Sequence, residues 1–382
     1  MTTGDSSVSW LEKLRTVLVG PSEASRVGRH FVAPRENWFK RTPAPVTEAY
    51  TPPTSPAYQR LFERNRLTLG LFFAMDTYAG DVPDMSQQLA LAQRADELDF
   101  AALWSRDVPL RDPSFGDLGQ IYDPWVWLGL ITACTRTITL ATGSIVFPLN
   151  HPINLAKAAA SVDNLSGGRL FMGIASGDRA VEFPAYGLDI DKRGALFRET
   201  LLYYERLLGG RFPKINSPLG HFEKADLVPK PMYGRIPLGI TGHCLQDPQW
   251  IAAHCDAWIM YSNSPSLQEI VIRTWREAVQ RHGGTDFKPF AQPLGIDLSD
   301  DPHEEQTPLR SGYRLGRTVL LDLLEQLRAT GVNHVALNIK RGRRPAADVI
   351  EELGAEVLPH FPTLPVRTPP YEGPVPRMEP SS

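Results

Sequence analysis

The chain has 382 residues, of which 42% are hydrophobic and 22% charged, and a formal net charge of −3. That is the composition of a globular chain with room for one large body or two ordinary domains, and it excludes a wholly disordered or collagen-like protein. No run of about 18 apolar residues is present to span a membrane, and 40 basic residues against 43 acidic ones leave no global positive field for nucleic acid.

Of the 34 prolines, seven fall in residues 1–60 and eight in 359–382. They frame a packed body at 61–361, with a proline-rich arm (1–60) before it and a tail (362–382) expected to be disordered. Asp5 stands where a secretory signal needs basic residues, and the apolar stretch at 16–19 is too short for one. Three cysteines, Cys134, Cys244 and Cys255, are an odd and sparse set that fits reduced thiols in the cytoplasm. The arm carries Trp10, Phe31, Trp38, Phe39 and Tyr50, too many aromatics for a solvated linker. A helix over 9–18 is expected, followed by an extended arm lying on the body or on a partner subunit.

Along the body, short apolar runs alternate with helical patterns. Residues 67–74 (LTLGLFFA) read as a buried strand, and Pro83 and Asp84 open a helix with Leu89, Ala92, Ala95 and Leu98 on one face. Strand two is expected at 101–105, helix two at 124–134, strand three at 138–142 and helix three at 152–165. Strand four follows at 170–175 and helix four at 193–208. An irregular stretch, 209–235, has room for a hairpin around 222–228. The series ends with strands at 237–240, 257–260, 289–296 and 334–338, and helices at 248–254, 266–282, 313–330 and 346–358. Eight units with buried, non-alternating strands imply a parallel sheet covered by helices. Eight in about 300 residues favour the closed (β/α)8 TIM barrel. An open doubly wound sheet is the alternative, but no G-x-G-x-x-G follows strand one.

Active sites of such barrels lie at the carboxyl ends of the strands, which sorts the candidates. Ser166-Gly167-Gly168-Arg169 precedes strand four, at the wrong end for a phosphate loop, and reads better as a helix cap with an arginine under the floor. Three exits pair a glycine with polar groups: Thr142-Gly143-Ser144, Ser176-Gly177-Asp178 and Thr241-Gly242-His243-Cys244. Glycine admits a ligand close to the backbone, and successive free N–H groups cradle anions. Together they suggest a flat, polar-edged ligand that carries a phosphate. The strand-two exit, Trp104-Ser105-Arg106-Asp107, opens a loop to Gln120 that is long enough for a lid. Lys340-Arg341-Gly342-Arg343-Arg344 is a second candidate for the phosphate, or a solvated turn. Metal sites are not expected: the sequence has no H-x-H, H-E-x-x-H or C-x-x-C, and the pairs His243-Cys244 and His254-Cys255 lie at opposite ends of helix five. No G-x-S-x-G elbow and no P-loop motif occur.

From about residue 67 to 361 these segments resemble the bacterial-luciferase-like family of flavin-dependent oxidoreductases. The resemblance rests on LTLGLFF, LAQRADELDFAALWSRD, TRTITLATGSIVFPLNHPINLAKAAASVDNLSGGRLFMGIASGD and PLGITGHCLQDPQWIAAHCDAWI. It implies an eight-stranded barrel that binds FMN at the strand carboxyl ends. Ala74 and Met75 would lie beside the flavin ring, and Thr142 and Ser144 would bound its edge. Ser176 and Gly177 would contact the ribityl chain or phosphate, and the N–H groups of Gly242, His243 and Cys244 would hold the phosphate. A non-prolyl cis bond at Gly143–Ser144 is implied as well. The strand-two exit departs from the family pattern in having no histidine. The catalytic candidates are therefore His151 or His243 as the base, with Arg106 as a cation beside an anionic reduced flavin. The resemblance implies a monooxygenase using reduced FMN and oxygen on a small organic substrate, with a separate flavin reductase and a homodimeric state. The alternatives are a dehydrogenase dependent on a deazaflavin coenzyme and a flavin-binding barrel without catalysis.

Overall fold

The computed structural model describes residues 50–367, apart from 79, 116–118 and 310. The helix expected over 9–18, most of the arm and the chain beyond 367 lie outside the described residues.

The apolar runs form eight strands. These are β1 (Thr68–Phe72), β2 (Ala102–Ser105), β3 (Thr139–Thr142), β4 (Leu170–Ala175), β5 (Leu238–Thr241), β6 (Ala257–Ile259), β7 (Phe290–Leu298) and β8 (His334–Asn338). Each is parallel to the next. β8 pairs with β1 in the register Thr68↔His334 to Leu71↔Leu337. That last ladder closes the barrel and removes the open-sheet alternative. The covering helices are α1 (Gln88–Glu97), α2 (Pro124–Cys134), α3 (Pro152–Ser166), α4 (Arg193–Gly209), α5 (Pro248–His254), α6 (Pro265–His282), α7 (Arg317–Thr330) and α8 (Ala346–Glu352). Their ends follow local chemistry. Asp123 accepts the Trp125 and Val126 N–H groups ahead of α2, with Pro124 in its first turn. Asp247 does the same for Trp250 in α5.

Three expected elements are corrected. The hairpin lies at Ile215–Ser217 and Gly220–Phe222, not around 222–228; Leu227 is instead buried in the connection that follows. Tyr313 is not helical. It belongs to a short strand, Gly312–Leu315, that runs parallel to β7 and antiparallel to Thr307–Leu309. Gly312 permits this, because a Cβ there would fall 1.8 Å from the Gly295 oxygen. The last helix is regular only to Glu352 and then widens and tightens through Leu353–Val357 and Leu358–His360.

Inside the barrel, Ala102, Ala141, Ala257, Ala291 and Ala336 leave room for Trp104 and Phe171. Helix Pro56–Leu61 closes the amino-terminal end, so the boundary expected at residue 60 falls within an element of the floor. Phe62 meets the rings of Phe171 and His334 edge-on at 5.3 and 6.3 Å. The tail begins against the same helix, where Leu364 is buried and the Arg367 amide donates to Gln59 at 2.6 Å. A polar thread runs up from this floor. The Thr68 hydroxyl donates to the Leu61 carbonyl (2.9 Å) and accepts from His334 Nδ1 (2.8 Å), and Trp104 Nε1 donates to His334 Nε2 (3.0 Å). An indole N–H only donates, so the His334 proton sits on Nδ1. Burial pushes the pKa of this imidazole down to about 3.

The motif Ser166-Gly167-Gly168-Arg169 serves the floor. The buried Arg169 guanidinium donates to the carbonyls of Thr132, Thr135, Ile138 and Ser166.

Candidate functional site

The mouth is built on the exits of β1 to β5. At β1, the Ala74 amide donates to the Gly119 carbonyl (2.8 Å) and the Met75 amide to Gln88 Oε1 (2.8 Å). Both residues are fully buried in the core that the barrel shares with its helices. Neither is exposed in the mouth, where the resemblance would set them beside a flavin ring. Phe72 and Trp104, with ring centroids 5.8 Å apart, form an apolar step. Gly143 lies directly on it, and a Cβ there would come within 3.1 Å of both rings. The Gly143–Ser144 peptide is cis, as the resemblance implies, and Phe73–Ala74 is a second non-prolyl cis bond that was not anticipated.

Thr142 and Ser144 part company. The Thr142 hydroxyl faces outward, fully buried, and donates to the Gly173 carbonyl at 2.8 Å, so it cannot bound a ligand in the mouth. Strand alternation explains this, since Ala141 and Gly143 face in and Thr142 faces out. Ser144 does reach the mouth, where its hydroxyl pairs with that of Thr241 across the end of β4.

At the β4 exit Ser176 is buried against Cys244, and Gly177 turns at φ 81° close to Val146 and Phe183. At the β5 exit Gly242, Cys244 and Leu245 all have positive φ. The Gly242 amide is engaged, donating to the Ile259 carbonyl at 2.8 Å, so it is not one of the cradle's donors. His243 Nδ1 accepts the Leu245 amide (3.0 Å) and the His243 carbonyl accepts the Gln246 amide (2.7 Å). The amides of His243 and Cys244 have no partner among the described residues. Above Gly242 the space is open, with nothing within 4 Å of where a Cβ would stand. Burial pushes the Cys244 thiol up to about 12, which leaves it inert as a nucleophile.

Arg193, which sequence reasoning missed, completes this corner. Its charge acts on His243, Cys244 and Asp178. It opens the 17-residue helix α4, whose first turn holds no acidic residue. A cation at a helix amino terminus opposes the macrodipole, and that anomaly was a signal the sequence offered. Gln246 ties the β5 loop to the same helix end by donating to the Gly194 carbonyl at 3.0 Å. Two free amides, a guanidinium and a helix amino terminus make a pocket suited to a phosphate dianion.

The proposed bases fare differently. His151 caps α3: its Nδ1 lies 3.3 Å from the Ile153 amide and its Nε2 lies 3.2 Å from the Leu219 carbonyl. Both nitrogens are in structural use outside the mouth, so His151 is withdrawn as a base. His243 is at the phosphate corner, and burial together with the Arg193 charge holds its pKa below the ordinary imidazole value. Arg106 packs on Gly119, and its charge acts on Asp178 and Arg179. It thus sits between the β1 and β4 exits. The strand-two loop reaches across the mouth as Phe115, whose ring lies 4.2 Å under the Arg179 guanidinium.

Two cations of the basic cluster after β8 are paired with carboxylates elsewhere in the fold. Arg344 pairs with Glu352 (2.6 Å) and Asp300 (2.9 Å), and Asp297 accepts the Arg343 amide (3.0 Å). Arg343 and Arg344 are thereby engaged in structural pairs. Among the described residues no group of three or more metal-ligating side chains forms. The His254 ring lies against Trp250 at 4.3 Å, and Cys255 is buried at the far end of α5.

Comparison with known proteins finds relatives in sequence and in fold. An uncharacterised protein of Mycobacterium tuberculosis (strain ATCC 25618 / H37Rv) is 31% identical over 182 residues, covering 45% of this chain and 64% of its own length. The 4-hydroxyprotoasukamycin monooxygenase of Streptomyces nodosus subsp. asukaensis is 28% identical over 262 residues, covering 65% of this chain and 69% of that protein. The chain thus spans under two thirds of the first of these relatives. The crystal structure of monooxygenase RslO1 from Streptomyces bottropensis superposes with a TM-score of 0.64 at 17% identity, over 78% of this chain and 99% of that one; it shares the fold. The profile of the luciferase-like monooxygenase family matches residues 67–306, and the chain belongs to that family.

Proposed function

We propose that this protein is an FMN-dependent monooxygenase acting on a small organic substrate. The observation that carries the reading is the pair of unpartnered amides of His243 and Cys244, in a turn on which the Arg193 charge acts. It lies at the same end of the barrel as the apolar step of Phe72 on Trp104, whose rings are tilted by 37°. The first feature suits a phosphate, the second an isoalloxazine, and Ser144, Ser176 and Gly177 lie on the strand exits between them. When bound, reduced FMN supplies the electrons for oxygen activation. The chain orients the cofactor, covers the mouth with the loop segment that opens at Arg106 and carries Phe115, and keeps water from the reacting centre. Arg106 holds a positive charge where an anionic ring would need it.

The sequence carries no G-x-G-x-x-G for a nicotinamide coenzyme, so we assign delivery of reduced FMN to a separate reductase. Among the described residues no helix is long and apolar enough to cross a membrane, and we place the protein in the cytoplasm on its sparse thiols. We infer a homodimer through α2, a helix without charged residues that still exposes Val126 (71%) and Leu130 (47%) to solvent.

Fluorescence titration of the purified protein with FMN and with a deazaflavin coenzyme tests the cofactor. Saturable binding of FMN, with oxygen uptake that depends on reduced FMN and rises with one member of a substrate panel, is the expected result. Exclusive binding of the deazaflavin would replace the reading by a dehydrogenase. Binding of neither would leave a barrel without redox chemistry.

A further inference from the structure

With His151 engaged as a helix cap, Arg106 a cation and His243 tied to the β5 turn by the Leu245 amide, the proton that oxygen chemistry requires calls for a further group. One side chain there is unaccounted for. Glu182 begins the short helix Glu182–Ala185 that follows the β4 exit. Its residue is only 1% exposed, yet its Oε1 has no hydrogen-bond partner among the described residues. An unpaired carboxylate oxygen in such a place is costly to ionise. The neighbouring residue, Phe183, packs on Gly177, Val146 and Leu149, so this helix is fixed to the turn that would meet the cofactor.

The charged groups around Glu182 come from every side of the mouth. Arg179 and Asp178 belong to its own loop, and Asp107 and Asp112 to the strand-two loop. Tyr186 stands one turn further on, within reach of its charge. Three carboxylates face one guanidinium, which favours the neutral acid. Asp107 is the nearest rival, but its carboxylate already accepts the Val146 amide at 3.0 Å.

We propose that Glu182 is the proton donor of the mouth, delivering a proton to oxygen as oxygen is reduced above the bound flavin. The inference rests on the FMN reading above. In the absence of an organic substrate, anionic reduced FMN gives up two electrons and its N–H proton, and the carboxylic acid supplies the second proton. The products are oxidised FMN and hydrogen peroxide, and water reprotonates the carboxylate. With substrate, the same proton leaves in water, one oxygen atom having passed to the substrate.

The experiment is anaerobic loading of the protein with reduced FMN, mixing with oxygen, and measurement of the reoxidation rate from pH 5.5 to 9. Burial and the like charges push the Glu182 carboxyl up to about 7. The wild-type rate is expected to be level at low pH and to fall about tenfold per pH unit well above that value. Glu182→Gln should bind FMN within about twofold of wild type, react at least about tenfold more slowly at pH 6, and lose the pH dependence. Asp107→Asn should keep it. Infrared spectroscopy of the cofactor-free protein adds a readout independent of turnover. Because burial also pushes the Glu205 carboxyl up to about 7, the spectra are taken in Glu205→Gln: a protonated-carboxyl band should titrate near neutrality there, with or without Asp107→Asn, and be missing once Glu182→Gln is added. If Glu182→Gln fails to fold, a Glu205→Gln spectrum in which no carboxyl titrates near neutrality still overturns the proposal. An unchanged pH profile in a folded Glu182→Gln that binds FMN overturns this proposal alone. Absence of FMN binding by the wild type overturns the cofactor reading and this proposal with it.

Discussion

Arg193 is the residue on which the cofactor reading turns. A charge-assisted contact to a phosphate is worth about 1.5–3 kcal/mol. Arg193→Gln should therefore weaken FMN binding by about 10- to 100-fold while the chain stays folded. An affinity equal to wild type would remove the phosphate from this corner. Gly242 is a less clean probe than its place suggests. At φ 65° any side chain strains the turn, even though the space above it is open. Gly242→Ala should cost about 1 kcal/mol of stability with no cofactor present, seen as a lower denaturation midpoint. His334 gives a prediction in pH. Its neutral form is held in the fold, with a pKa pushed down to about 3, whereas the unfolded chain binds a proton below about 6.5. Its contribution is thus complete above pH 6.5 and is lost on acidification, at about 1.4 kcal/mol per pH unit until the folded pKa is reached. The stability difference between wild type and His334→Gln, measured in urea, should shrink from pH 7 to pH 5. A constant difference would place the proton elsewhere.

The strands were legible as elements because parallel strands covered on both faces are continuous apolar runs, and LFMGIA at 170–175 is one. The short strand Gly312–Leu315 was not legible. Its sequence, GYRL, has no periodicity, and its pairing partner lies along β7. Arg314 holds it there through Asp297 (2.9 Å) and Glu304 (2.7 Å), contacts between segments that only the fold brings together. The α2 helix makes the opposite point. Its sequence, PWVWLGLITAC, is apolar on every side, which announces burial on two faces, yet the single chain covers one. Val126→Glu should convert the proposed dimer to a monomer, read by light scattering, and leave the melting temperature of the monomer within a few degrees. A monomeric wild type would end that assignment.

On the scale of the molecule, the barrel is a filled cylinder with one end sealed. Phe62 stands between the floor helix and the interior rings, and Phe62→Ala should cost about 3–5 kcal/mol in chemical denaturation. A much smaller cost would mean that the floor is not integral to the barrel. This floor includes residues from 50 onward, for the Tyr50 hydroxyl donates to Asp256 at 2.8 Å. The sequence placed the arm on the body or on a partner subunit without saying where, because proline-rich composition says nothing about what a segment caps.

Taken by itself, the sequence determined the eight-unit barrel, the family and the strand exits at which Ser144, Gly177, His243 and Cys244 gather. Those features are local: apolar runs, glycines at turns, and caps written in neighbouring residues. Only the tertiary structure decided that Thr142 faces away, that the Gly242 amide is taken by Ile259, and that His151 is a helix cap. It also brought the Arg193 charge to the β5 turn and buried Glu182 among carboxylates of the β2 and β4 loops. The reason is geometric. Which way a side chain points follows from strand parity, and what it meets depends on elements tens of residues away in the chain. Neither quantity is contained in the order of residues around it.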